Sequence, residues 1–309
     1  MSPISATTEP TLAVFTKNRA NPAYAAARLG ADRVAARFGA RTVHYVPEQP
    51  DHIGEQQALV ERAIAARSDA CLFVAVDAEA MIPYVQRFNT AGIPVFSFVN
   101  RLQGGEWVSF AGSDDHALAV RIADYLFAHL RQQGSGNRVL VLAGTTGSVS
   151  GRDRMAGFRQ AFATATDMTC VAEIAGEFLQ NAAHTAMTKF LAGNTPFDAV
   201  LAANDAMALG VISALTAAKR PLCPIVGVNA VPDAIAAIKT GALLATASFD
   251  AMKMASLAAE AAVRFLRGEH VPREIILPVE IVDHTNLKAW DSPFEARIMP
   301  RWDDYTKLS

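Results

Sequence analysis

Cysteine is scarce in this chain. Only Cys71, Cys170 and Cys223 occur among 309 residues, far apart and each in or beside an apolar stretch. They show no CxxC or Cys/His spacing for a metal, and their odd number cannot pair completely, so they read as small buried hydrophobes. Long apolar runs are also missing: none approaches the roughly 18–20 residues needed to cross a bilayer. Excess positive charge is absent, with a formal net charge of −2 and a pI near 6.4, which removes the broad field used for non-specific nucleic-acid binding. The opening segment MSPISATTEP lacks the basic start and apolar core of a secretory signal. At face value that keeps the chain in the cytoplasm, unless a signal has been removed or the gene starts further upstream.

Catalytic motifs are lacking as well. A dinucleotide-binding turn needs GxGxxG after the first strand, and TKNRANPAY at 16–24 contains no glycine. GTTGSVSG at 144–151 lacks the GK[ST] ending of a phosphate loop and reads as a strand-to-helix turn. Ser148, Ser150 and Asp153 form no nucleophile elbow, and GxSxG is absent. Seven histidines show no metal-ligand spacing. A DNA-reading regulator would carry a helix-turn-helix segment of about 60 residues before the first strand; ten residues precede Thr11. The expectation is no enzyme, no cofactor, no metal and no nucleic-acid partner.

What is present is a repeating pattern of apolar run, loop and amphipathic helix. Apolar residues make up 51% and charged residues 19% of the chain, enough to fill two cores of about 150 residues each. Strand-like runs fall at 12–16, 42–45, 71–75, 95–98, 139–143, 170–174, 199–202 and 225–228. Helical stretches fall at 22–38, 53–66, 80–91, 117–131, 155–163, 206–218 and 252–266. Continuous apolar strands alternating with helices predict parallel sheets covered on both faces, an α/β fold. Two βα series, up to about Ser113 and from Asp114 to about Thr246, lack a low-complexity linker, which predicts a hinge of several short crossings. The expected lobes are 11–113 plus about 249–278, and about 114–248 plus 279–285, with one short strand around 274–282. Residues 286–309 form an extended tail, expected to be pinned across one lobe by Trp290, Phe294, Met299, Trp302 and Tyr305.

In open parallel sheets, ligands bind beyond the carboxyl ends of the strands. Lys17, Asn18, Arg19, Asn21 and Tyr24 follow the first strand, and Asn100 and Arg101 follow the fourth. In the second half Arg152, Arg154, Phe178, Asn204, Asp205 and Asn229 occupy the same edge. Asn donates and accepts, Arg presents a fork of donors, and aromatic faces stack on sugar faces. Residues two apart do not share a helix face, so one of Arg152 and Arg154 reaches the cleft; Arg152 is the choice here and Arg154 the solvated one. Asn204 also suits an N-cap, and Ser113 or Asp114 caps the helix that follows.

These residues carry a resemblance to the ribose-type periplasmic sugar-binding protein family, related to the ligand domains of lactose-repressor-type regulators. It rests on TLAVFTKNRANPAY at 11–24, AGIPVFSFVNR at 91–101, SGRDRMAGF at 150–158, VLAANDAMALG at 200–210 and IVGVNAVPD at 225–233, within a span from 11 to about 267. The resemblance implies a type I periplasmic binding protein fold, two Rossmann-like lobes joined by a multi-crossing hinge. It implies a monomeric periplasmic protein that closes on a small carbohydrate-like ligand and docks on the permease of an ABC importer, or alternatively on a sensor receptor. It implies ligand contacts from Lys17, Asn21, Tyr24, Asn100 and Arg101 on one lobe, from Arg152, Phe178, Asn204 and Asn229 on the other, and from Phe249 near a hinge crossing. FSFVNR is one residue longer than the usual strand plus Asp-Arg, leaving Val99 or Asn100 as alternative registers. Asn100 and Asn229 stand where many sugar binders have aspartates, and Ala23 replaces an aromatic. With Lys17, Arg101 and Arg152 less balanced, and Asp205 the nearest candidate to balance them, the ligand is expected to carry an anionic group or to be an unusual polyol.

Overall fold

The central strand runs are short and buried because their sheets are covered on both faces, whereas the runs at 41–45, 169–175 and 274–276 are partly exposed. The computed structural model describes residues 9–306; the polar start at 1–8 and the last three tail residues lie outside the described residues. The strands are β1 (Thr11–Phe15), β2 (Arg41–Tyr45), β3 (Ala70–Phe73), β4 (Val95–Phe98), β5 (Ser109–Gly112), β6 (Arg138–Ala143), β7 (Thr169–Ala175), β8 (Ala199–Ala202), β9 (Ile225–Val228), β10 (Ala245–Ala247), β11 (Glu274–Ile276) and β12 (Ile281–Val282). The helices are α1 (Pro22–Phe38), α2 (Ile53–Ala65), α3 (Ile82–Thr90), α4 (Asp115–Gln133), α5 (Val149–Thr164), α6 (Gln180–Ala192), α7 (Asp205–Ala217), α8 (Pro232–Lys239), α9 (Ala251–Leu266) and α10 (Trp302–Thr306).

Two six-stranded sheets result, ordered β11-β5-β4-β3-β1-β2 and β12-β10-β9-β8-β6-β7. All neighbours are parallel except β10 and β12. The chain passes from the first sheet to the second after β5, returns between β10 and α9, and leaves again between β11 and β12. The single strand expected around 274–282 is therefore two, one in each sheet. Pro278, which has no N–H to donate, falls in the crossing between them.

Helix ends are set by local chemistry. Asn21 Oδ1 accepts from Ala23 N–H (3.0 Å) and Pro22 opens α1. Gly39 closes that helix at φ 68°, a left-handed position that glycine adopts without strain. Asp114 caps α4 through Ala117 N–H, Asn204 caps α7 through Met207 N–H, and Asp250 caps α9 through Lys253 N–H. Helices α1 and α9 approach backbone to backbone at Gly30, where an added Cβ would lie 2.4 Å from the Met252 carbonyl oxygen.

Two expectations need correction. Cys71 is fully buried, but Cys170 is exposed and Cys223 partly so; Cys170 sits on β7, an edge strand paired only with β6. The tail bridges both lobes instead of crossing one. On the first-sheet side Arg33 donates to the Arg297 carbonyl (3.2 Å), and Arg264 of α9 lies over the Trp302 ring. On the second, Arg297 Nη2 donates to the Ala230 carbonyl (2.8 Å), and Lys239 pairs with Asp291.

Candidate functional site

The carboxyl ends of both sheets face one cavity of about 30 Å³, far below the roughly 300–1,000 Å³ of a usual ligand site. From the first-sheet side come Asn21, Ala23, Tyr24, Val99 and Asn100; from the second, Ser148, Ser150, Arg154, Phe178, Asn204 and Asn229. Phe249 and Ala251 enter from the crossing that precedes α9. The question of register after β4 resolves in favour of both residues. Val99 turns at φ 65°, unusual for a β-branched side chain, so Val99 and Asn100 both line the cavity.

The second wall is built around Arg154, which is 3% exposed. Its Nε donates to Asp115 Oδ1 (2.6 Å) and its Nη1 to the Ala203 carbonyl (2.6 Å). The guanidinium lies 4.5 Å from the Phe249 ring centroid and 5.8 Å from that of Phe178, so both rings serve the cation as well as the cavity. Phe178 sits at φ 59°, and Asn204 Nδ2 donates to its carbonyl (3.1 Å). Gly144 makes room for that ring, since a Cβ there would fall 2.0 Å from it. Asn229 turns at φ 129°, and its buried Oδ1 has no partner among the described residues, an acceptor left for a ligand donor.

Direct bonds cross the cleft. Asn100 Nδ2 donates to Ser150 Oγ (2.9 Å), Lys17 Nζ to Ser148 Oγ (3.2 Å), and Ala78 N–H to the Gly147 carbonyl (3.2 Å). Burial lowers the Lys17 pKa to about 8, partly offset by Asp51 and Asp77.

Of the expected contacts, Asn21, Tyr24, Asn100, Phe178, Asn204, Asn229 and Phe249 are brought together at the cavity. Three expected cations are not. Arg152 is exposed and Arg154 is the buried one: α5 begins at Val149, and Arg154 lies four residues after the cavity-lining Ser150, on the same helix face. Arg101 pairs in bidentate fashion with Glu274 and stacks over Phe110. Lys17 is buried beside the cavity, spent on Ser148. Asp205 balances none of them; it accepts from Thr246 Oγ1 and Val231 N–H, and burial raises its pKa to about 6. Lys17, Arg101 and Arg152 thus place no cation in the cavity lining, where Arg154 is paired with Asp115.

A family model described as "Periplasmic binding protein domain" matches residues 12–270, most of the chain. The chain belongs to the periplasmic binding protein domain family. It is 29% identical over 273 residues to the ribose import binding protein of Escherichia coli (strain K12), covering 88% of this chain and 90% of that one. It is 32% identical over 249 residues to a putative rhizopine-binding protein of Rhizobium meliloti, covering 76% and 78%. An ABC transporter solute-binding protein of Actinobacillus succinogenes 130z, solved with bound D-allose, superposes with a TM-score of 0.82 at 26% identity, covering 91% and 99%. The fold is that of type I periplasmic sugar-binding proteins, and this periplasmic binding protein is a non-catalytic solute binder of the kind that serves ABC importers. Among the described residues no helix is long and apolar enough to cross a membrane.

Sequence reasoning missed Ser148, Ser150 and Asp115 as site residues and took Arg154 for the solvated member of its pair. It weighed the two serines only as nucleophiles and read the start of α4 only for its cap. The available signal was spacing: Ser150 and Arg154 stand four apart at the start of a helix that opens on the sheet edge.

Proposed function

We propose that this periplasmic binding protein captures an uncharged sugar or polyol between its lobes and delivers it to a membrane permease as a closed monomer. The lobes are residues 11–113 plus about 249–278, and about 114–248 plus 279–285. The observation that carries the reading is the cavity's polarity: four amides, two serines and three aromatic rings line it, and its one arginine is already paired with a carboxylate. Amides and hydroxyls match the mixed donors and acceptors of a polyol, while rings cover its apolar face. The bonds that cross the cleft belong to the closed form, and ligand favours that form by the extra contacts it makes there.

The test is a thermal-shift panel of D-ribose, D-allose, xylitol, myo-inositol, D-glucose and the matching sugar acids. A ligand at 100 times its Kd stabilises by about 2.7 kcal/mol, a shift of several degrees. A neutral member is expected to score and the acids to fail. A shift with acids alone, or with no neutral sugar or polyol, overturns the reading.

A further inference from the structure

The cavity surface carries no carboxylate, yet it contains a buried guanidinium. The counter-charge stands one layer behind the wall, on the first turn of α4. Asp115 is 6% exposed, and among the described residues it is the one carboxylate hydrogen-bonded to cavity-lining side chains. Its Oδ1 accepts from Arg154 Nε (2.6 Å) and its Oδ2 from Ser150 Oγ (2.7 Å). Lys17, the other buried cation nearby, lies off the cavity and is faced by Asp51 and Asp77 as well as Asp115.

Each of these bonds has a consequence for what the cavity accepts. A buried charge removed from water needs a partner, and with Asp115 in contact Arg154 has no uncompensated charge to offer an anionic ligand. A carboxylate can only accept, so Ser150 gives its single hydroxyl hydrogen to Asp115 and is left with lone pairs facing the cleft. Only a donor can then meet it from the opposite lobe, which orients Asn100 with its NH₂ toward Ser150 and leaves its carbonyl oxygen for the ligand. Asn229, which also lines the cavity, has a buried Oδ1 without a partner among the described residues, a second acceptor. The network Asn100–Ser150–Asp115–Arg154 thus spans the cleft.

We propose that Asp115 is the specificity-determining residue of this binding site: from behind the wall it neutralises Arg154 and commits Ser150 as an acceptor, so the cavity selects uncharged, hydroxyl-donating ligands and rejects their carboxylate analogues. The inference rests on the uncharged-ligand reading above and assigns its cause to one side chain that touches no ligand.

Calorimetric titration of the full chain with D-ribose and D-ribonate, and with D-glucose and D-glucuronate, tests both. In the wild type the neutral member of at least one pair is expected to bind at least 100-fold more tightly than its acid. Asp115→Asn keeps the shape and removes the charge; it is expected to weaken the neutral sugar about 10-fold and strengthen the acid about 10-fold, the latter gain fading as salt rises. The double variant Asp115→Asn/Arg154→Gln removes both charges and is expected to lose that gain for the acid, and it serves as the folded reference should the single variant unfold. Should the single variant unfold, a preference ratio in the double variant equal to the wild type's overturns the proposal, and a ratio lowered about 10-fold through weaker neutral binding alone supports it. Equal loss for both members in Asp115→Asn, with the preference ratio unchanged, overturns the role of Asp115 and leaves the uncharged-ligand reading standing. A wild-type preference for the acid, or failure to bind any neutral member, overturns both.

Discussion

On the first-lobe wall, Asn21 and Tyr24 reach the cavity from the opening turn of α1, and Val99 and Asn100 from the turn after β4. That wall lines the cavity with amide, phenol and apolar groups and no charge. On the second-lobe wall, Arg154, Asn204 and Phe178 are tied to buried partners before any ligand arrives, through Asp115, Ala203, Met207 and one another. The same polar residue types do different work on the two sides. Arg154, Asn204 and Phe178 form an internally bonded part of the second wall whose loss disturbs the fold, whereas Asn100 of the first wall is bonded by meeting Ser150 across the cleft. Asparagine illustrates the difference: Asn204 caps a helix and supports a left-handed turn at Phe178, while Asn100 bonds the opposite lobe.

Four measurements break or sharpen that contrast. The largest effect is expected from Arg154→Met, which strands Asp115 as a buried unpaired charge and lowers unfolding free energy by about 3–5 kcal/mol in urea titrations. The matching change Arg101→Met, at a pair about 40% exposed on each side, is expected to lower it by less than about 1 kcal/mol. Equal losses would erase the distinction between a buried network and a surface pair.

Lys17→Met probes the bond across the cleft. Folding depresses the Lys17 pKa from 10.5 to about 8, so its contribution is fully present above 10.5 and is lost as pH falls through 8. The wild type is therefore expected to gain on Lys17→Met between pH 8 and 10.5, by on the order of 3 kcal/mol. Parallel pH profiles would show that Lys17 is not held in this dry site.

Asn204→Ala is expected to lower stability by about 1 kcal/mol through the lost cap and to weaken ligand at least 10-fold, since Phe178 loses its support. Loss of stability without loss of affinity would make Asn204 a cap alone. Smallest of all, Arg152→Ala on the exposed face of α5 is expected to leave stability within about 0.5 kcal/mol and ligand affinity unchanged in the same titrations. A large affinity loss would restore Arg152 as a contact.

Much of this organisation is written in local sequence. The strands at 95–98, 199–202 and 225–228 coincide with the observed β4, β8 and β9, and the Asn21-Pro22 start of α1 is an intrinsic cap signal. Strands β5 and β10 were not legible, because SFAG and ATA are short runs of small residues whose pairing depends on the sheet beside them. Helices α6 and α8 were not among the stretches named, QNAAHTAMTKFLA having no side-chain cap at its start and PDAIAAIK running only eight residues. In the site, the strand-edge rule pointed to six of the cavity-lining residues and the resemblance to Phe249, whereas Arg152 and Arg154 could be separated only by knowing where α5 starts. Asp115 was passed over for a different reason: β5, which ends three residues before it, was itself not legible, and Asp115 touches the cavity only through Arg154 and Ser150.

The contact at Gly30 has a consequence for binding itself. Helices α1 and α9 interlock there too closely for any side chain larger than hydrogen. Their N-terminal ends deliver Asn21 and Tyr24 on one side and Phe249 and Ala251 on the other to the same cavity. Because the two helices cannot slide past each other, these four residues form a preorganised half-socket, and a ligand landing on it forfeits little configurational entropy in aligning them.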